Sequence, residues 1–126
     1  MRKLKILVVD DNEGIRELLE TFLSYDGHKV SLATDGFQAQ QALLKENGGY
    51  DLVITDHRMP KMLGVELVRW IKMNYPEIKV ILMTGDGKEV TSVALAAGAD
   101  QILDKPFDHD QLIKAIVECF PVKVPL

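Results

Sequence analysis

The feature that most limits what this chain can fold into is a set of four short runs built almost wholly from Ile, Val, Leu and Met. They are Ile6 to Val9, Leu52 to Thr55, Val80 to Met83 and, more weakly, Gln101 to Leu103. A strand that does not alternate apolar with polar positions has no side to turn to water, so both of its faces must be covered. That is the pattern of a central strand in a parallel sheet. A fifth run, Lys29 to Ala33, alternates Val30 and Leu32 with polar neighbours and reads as a half-exposed edge strand.

Between these runs the apolar residues recur at helical intervals. Ile15, Leu18, Leu19, Phe22 and Leu23 fall on one helix face, with Asp11 or Asn12 as N-cap and Gly27 as the stop. Residues Phe37 to Lys45, Val65 to Met73, Val90 to Ala97 and Leu112 to Phe120 repeat the pattern, each closed by Asn, Gly or Pro. Strand then helix, five times over, predicts an α/β fold of three layers: a five-stranded parallel sheet with five helices on its two faces. The flavodoxin-like strand order 2-1-3-4-5 is the arrangement expected of five such units. Ligands in that arrangement bind at the carboxyl ends of the strands, where the winding reverses.

A length of 126 residues suits a single domain spanning 1–126, with its core in about residues 5–120 and residues 121–126 as a tail or the start of a linker. With 47% hydrophobic and 27% charged residues, the chain is neither disordered nor built to cross a membrane, so no membrane partner is expected. Fifteen Lys and Arg against nineteen Asp and Glu give a net charge of −4, and no stretch gathers the bases on one face. Nucleic-acid binding by this domain is therefore disfavoured. The apolar run after Met1-Arg2-Lys3 stops at Asp10-Asp11, too soon for a signal peptide. One cysteine, Cys119, precludes an internal disulfide, which fits a reducing cytoplasm.

The strand ends carry the chemistry. The first strand ends in Asp10-Asp11 and the third in Asp56, so three carboxylates converge. Each alone is accounted for as a helix cap or loop acid, but together their repulsion calls for a cation, and all-oxygen ligands favour a hard ion such as Mg2+. The fourth strand ends at Thr84-Gly85 and the fifth at Lys105-Pro106, which sets a hydroxyl and an ammonium facing the acids. Singly these read as a strand-end cap and a solvated lysine. Jointly they suit the oxygens of a phosphoryl group, for which a carboxylate is a competent acceptor.

The segments Val8-Val9-Asp10-Asp11, Asp51 to Pro60, Met83-Thr84-Gly85 and Lys105-Pro106-Phe107 resemble the motifs of receiver domains of two-component response regulators, in order and from Lys5 to about Phe120. That resemblance implies a phosphorylation switch more than a turnover enzyme, one that assists its own phosphorylation and dephosphorylation. Asp56 would be the phosphoacceptor. Asp11, Asp56 and the backbone carbonyl of Arg58 would ligate Mg2+ directly, and Asp10 would act through water. Thr84 and Lys105 would contact the phosphoryl oxygens, and the peptide before Pro106 would be cis. The donor would be a sensor histidine kinase or histidine phosphotransfer protein. The signalling face would be helix 4, strand 5 and helix 5, which meets a downstream partner protein, a missing output domain or a second copy in a homodimer.

The chain departs from that pattern at two positions. Ile102 stands where an aromatic residue usually reports the state of the threonine, and Leu63 stands where an acid is common before Gly64. Arg58 and Asp86 occupy positions that influence how fast the acyl phosphate hydrolyses in the family, and an ion pair between them across the site mouth is one expectation; two solvated charges is the other. His57 reads either as a proton-transfer group or as a partly exposed loop residue. His28 and His109 lack the spacing of zinc ligands, and Trp70, Met73 and Cys119 read as packing or flank residues. Two other functions share this fold class. A flavin or nucleotide module would need a Gly- or Ser-rich loop after the first strand, where Asp10-Asp11-Asn12-Glu13 stands. A phosphatase resembling the haloacid dehalogenase group would need an acid where Arg58 is.

Overall fold

The computed structural model describes residues 2–121. Its elements run β1 (Lys5–Val9), α1 (Glu13–Tyr25), β2 (Lys29–Ala33), α2 (Gly36–Lys45), β3 (Leu52–Asp56), α3 (Gly64–Asn74), β4 (Lys79–Thr84), α4 (Lys88–Ala97), β5 (Gln101–Asp104) and α5 (His109–Cys119). The five strands form one sheet in the order β2-β1-β3-β4-β5, with every pair parallel. This is the predicted three-layer architecture. Residues 122–126, the greater part of the expected tail, lie outside the described residues.

The absence of alternation in the central strands has a direct structural counterpart, because successive side chains leave a strand on opposite faces. Leu7 and Val9 of β1, Val53 of β3 and Val80 and Leu82 of β4 enter one core with α2, α3 and α4. Their neighbours Ile6, Val8, Leu52, Ile54, Ile81 and Met83 enter a second core with α1 and α5. Both faces of the central strands are therefore dry, and the edge strands β2 and β5 are partly exposed, as the alternation in β2 predicts for that strand. Cys119 is buried in the second core, where desolvation pushes its thiol up to about 12, so it is an inert packing group. Trp70 packs edge-on against Tyr75 at 5.9 Å between ring centres, whereas Met73 is exposed.

Several boundaries differ from the apolar pattern, and the hydrogen-bond partners explain why. β3 and β4 each run one residue past their apolar runs, because Asp56 pairs with Met83 and Thr84 with Asp104. Asp56 and Thr84 are thus the last rungs of the ladder, which holds them more rigidly than a loop would. α5 begins at His109 instead of Leu112, because Asp108 and Gln111 form a reciprocal cap with two bonds of 2.8 Å. Of the two caps proposed for α1, Asn12 is used: its Oδ1 accepts the Ile15 N–H at 3.0 Å, which leaves Asp11 exposed and uncommitted. α4 starts at Lys88, after Gly87 at φ 79°, with no side-chain cap.

Gly64 allows the loop after β3 to fold back on itself. Its N–H donates to the His57 carbonyl at 2.7 Å, and a Cβ there would lie 2.2 Å from the Asp56 carbonyl oxygen and 2.7 Å from the His57 Cα. Both neighbours are backbone and cannot yield cheaply. Gly64→Ala is expected to cost about 3 kcal/mol, the upper end for overpacking. The corresponding fall in melting temperature is roughly 10 °C, measured by calorimetry.

Candidate functional site

Parallel pairing brings the carboxyl ends of β1, β3, β4 and β5 to one edge of the sheet. Asp10, the residue after β1, is fully buried, Asp56 is buried and Asp11 is exposed. One carboxylate oxygen from each lies within 4.8 Å of the others. Asp10 Oδ1 accepts the Asn12 N–H at 2.9 Å, whereas Asp10 Oδ2 is buried with no hydrogen-bond partner among the described residues. Burial raises the Asp10 pKa, and the charges of Asp56 and Asp11 add to the rise; only the Asn12 N–H and the Lys105 charge oppose them.

Lys105 reaches in from the loop after β5, and its peptide to Pro106 is cis. The ammonium donates to Asp56 Oδ1 at 2.8 Å and sits 3.7 Å from Asp10 Oδ2. Burial alone would lower its pKa, but the hydrogen bond and charge of Asp56, with Asp10 behind them, outweigh burial and raise it. Lys105 is therefore a fixed positive charge. Among the described residues nothing donates a hydrogen bond to Asp56 Oδ2, while a cavity of about 260 Å3 opens over this carboxylate between Thr84 and Lys105. Thr84 is buried, and its Oγ1 accepts the Asp86 N–H at 3.0 Å, which leaves the hydroxyl proton free to donate.

At the rim of that cavity the Arg58 guanidinium donates to Asp86 at 2.6 Å and joins the loops that follow β3 and β4. The pairing holds Asp86 below the usual carboxylate range and Arg58 above its own. Ile102, the β5 residue paired with Leu82, packs against the core on the α4 side as a part-buried aliphatic group.

Three carboxylates against one ammonium leave excess negative charge in a desolvated cleft, and the unpartnered Asp10 Oδ2 marks a place where a positive group belongs. The donors are all hard oxygens, one carboxylate oxygen from each of Asp10, Asp11 and Asp56. This donor set fits a hard divalent cation.

The sequence matches the response regulator receiver domain family over residues 6–117. The chain belongs to the receiver domain family of response regulators. Among curated relatives it is 36% identical to the sporulation initiation phosphotransferase F of Bacillus subtilis, over 98% of each chain. It is 38% identical to the CpxR homolog of Haemophilus influenzae, a transcriptional regulatory protein of which it spans only 48%. The chain likewise spans about half the length of other curated relatives, such as the response regulator MprA of Mycobacterium species. Among solved structures it superposes on the chemotaxis response regulator CheY4 of Vibrio cholerae with a TM-score of 0.87 at 30% identity, covering 94% of this chain and all of the other. The receiver domain protein of Clostridium thermocellum gives 0.85 at 34% identity, covering 91% and 92%. A receiver domain is a signalling module of two-component systems.

Of the residues singled out in the sequence, the fold gathers Asp10, Asp11, Asp56, Thr84 and Lys105 into one cleft and sets Arg58 and Asp86 at its rim. His28 and His109 lie elsewhere: His28 Nδ1 accepts the Leu4 N–H at 3.0 Å, and His109 stacks on Phe22 and pairs with Asp26 at 2.8 Å. Arg16 was missed. Its guanidinium donates to the Asp10 carbonyl at 2.8 Å and so ties α1 to the end of β1. A cation so close to a helix N-terminus runs against the helix dipole, and that was the signal available in the sequence.

The strain of the acids gives a testable stability effect. A carboxyl whose folded pKa is raised favours folding when protonated, and that contribution is lost as pH rises through the folded value. At neutral pH and without divalent metal, Asp10→Asn is therefore expected to melt higher than the parent by roughly 2–5 °C. A saturating divalent cation should raise the melting temperature of the parent by more than that of the variant in a thermal shift assay.

Proposed function

We propose that this receiver domain is a phosphoacceptor switch of a two-component system that takes a phosphoryl group from phosphohistidine onto Asp56 in an Mg2+-dependent reaction. The observation that carries this reading is the asymmetry of Asp56. Lys105 holds one oxygen, while the other faces the cavity with no hydrogen-bond donor among the described residues, free to act as nucleophile. Asp11 and Asp56, with the Arg58 carbonyl, would hold the magnesium ion, and Asp10 would act through water. When bound, that ion supplies positive charge against the phosphoryl oxygens.

In the transfer, an Asp56 oxygen forms a bond to phosphorus as the bond from phosphorus to the donor imidazole breaks, and the electron pair returns to that ring. Lys105 and the Thr84 hydroxyl donate to the phosphoryl oxygens, already oriented and partly desolvated, so little reorganisation is needed. The domain assists its own loading and hydrolysis but is no turnover enzyme. Arg58 and Asp86 at the rim set how readily water reaches the acyl phosphate.

The donor is a sensor histidine kinase or histidine phosphotransfer protein in the cytoplasm. Phosphorylation draws Thr84 and its loop inward and shifts the face formed by α4, β5 and α5 between two arrangements. Ile102 cannot swing a ring, so output runs through displacement of the β4–α4 loop. That face meets a partner protein, a second copy or an output domain. Residues 1–126 form a single receiver domain, either free-standing or joined to such a domain.

The competing readings lack their groups. The loop after β1 presents acids where a flavin phosphate would sit, and Arg58 stands where a haloacid dehalogenase-like phosphatase needs its acid.

Incubation with acetyl phosphate and Mg2+ is expected to add one phosphoryl mass to the parent chain and none to Asp56→Asn. Lys105→Met should slow loading by about a hundredfold, as loss of one preorganised donor does. An unmodified parent mass under these conditions would sink the proposal.

A further inference from the structure

Of the two buried side-chain atoms without a hydrogen-bond partner among the described residues, His57 Nδ1 and Asp10 Oδ2, the second lies 3.7 Å from the Lys105 ammonium in the acidic cleft. Burial fixes Asp10, and the sheet fixes Asp56 through its pairing with Met83. Asp11 has neither support. It is exposed and lies beyond the end of β1, yet its carboxylate stands within 4.8 Å of the other two.

The backbone supplies what burial does not. A peptide unit is planar, so the Cα–Cβ bond of a residue is aimed by the two planes that flank it. Both planes around Asp11 are pinned. The plane after it is held through the Asn12 N–H, which donates to Asp10 Oδ1 at 2.9 Å. The plane before it is held through the Asp10 carbonyl, which accepts from the Arg16 guanidinium at 2.8 Å. The Arg16 N–H also closes the first turn of α1 on the Asn12 carbonyl at 3.1 Å. Backbone and side chain of one residue thus grip the chain on both sides of Asp11.

We propose that Arg16 is a positioning residue for the divalent cation: it locks the Asp10–Asp11 peptide so that the Asp11 carboxylate is aimed before the ion arrives. The inference rests on the reading of the cleft as an Mg2+ site and adds to it a residue outside the ligand set. Among the described residues the cleft acids pair with Lys105, whereas Arg16 turns its guanidinium to a neutral carbonyl.

Charge and aim predict opposite signs. A guanidinium beside the site repels a cation, so by charge alone its removal would tighten binding. By aim alone its removal loosens binding, because the ion must then order Asp11 itself. Arg16 is part-exposed, so solvent and salt screen its charge, while the loss of an outer hydrogen bond that orients a ligand lowers metal affinity by about ten- to a hundredfold. Aim therefore outweighs charge.

Mg2+ titrations of the full chain at fixed ionic strength, with no phosphoryl donor present, read the affinity from the amide signals of Asp11 and Asn12 in two-dimensional NMR. Arg16→Met is expected to bind Mg2+ about tenfold more weakly than the parent, although it makes the chain more negative. Arg16→Gln, equally neutral, should do the same and carries the test if Arg16→Met fails to fold. Arg16→Lys, which keeps the charge and a donor but not the planar fork, should recover part of the affinity. With acetyl phosphate, Arg16→Met should load slowly at limiting Mg2+ and at the parental rate at saturating Mg2+. A merely stabilising contact would lower the melting temperature and leave the Mg2+ affinity of the folded chain unmoved. Equal or tighter Mg2+ binding by the folded neutral variants would overturn the inference and leave the Asp56 reading intact. No Mg2+ response in the parent would overturn both.

Discussion

Everything at the reactive edge depends on one electrostatic confrontation: three carboxylates gathered at the ends of neighbouring strands, with a single ammonium set among them. Lys105 makes the assembly tolerable by bonding Asp56 at 2.8 Å and lying 3.7 Å from Asp10, but one positive charge does not neutralise three negative ones. Asp10 carries the remaining strain, since its carboxylate is buried with one oxygen unmatched. A cleft so arranged is a receptor for positive charge before it is anything else.

The sheet makes that confrontation possible. Neighbouring parallel strands all end on the same side, so five residues far apart in sequence meet without any long loop having to reach. Asp56 and Thr84 belong to the ladder itself, paired with Met83 and Asp104. Their side chains inherit the rigidity of a sheet buried on both faces. The loops that follow are held by specific bonds: Gly64 to His57, Asp86 to Thr84 and Arg58 to Asp86. Asp56 and Thr84 are thus held by the sheet, whereas the loops around them are fastened by a few polar contacts and can shift without moving the strand ends.

The groove beside the cleft shows how much of a small domain can be left unassigned by a strong family likeness. His57 follows Asp56 directly and lines both the cavity over that carboxylate and the groove between α3 and α4.

The sequence by itself determined the fold class, because strands apolar at every position can be satisfied only between two layers of helices, and the order of elements follows from the chain. It also nominated Asp10, Asp11, Asp56, Thr84 and Lys105, because those residues fall where strands end. Their mutual distances were beyond it: Lys105 and Asp56 are 49 positions apart, and only the β3-β4-β5 pairing makes them neighbours. The unmatched oxygen of Asp10, the Arg16 tie, the Arg58–Asp86 pair and the buried nitrogen of His57 were decided by tertiary structure. Burial and hydrogen bonding are properties of what surrounds an atom, and those surroundings come from segments distant in the chain.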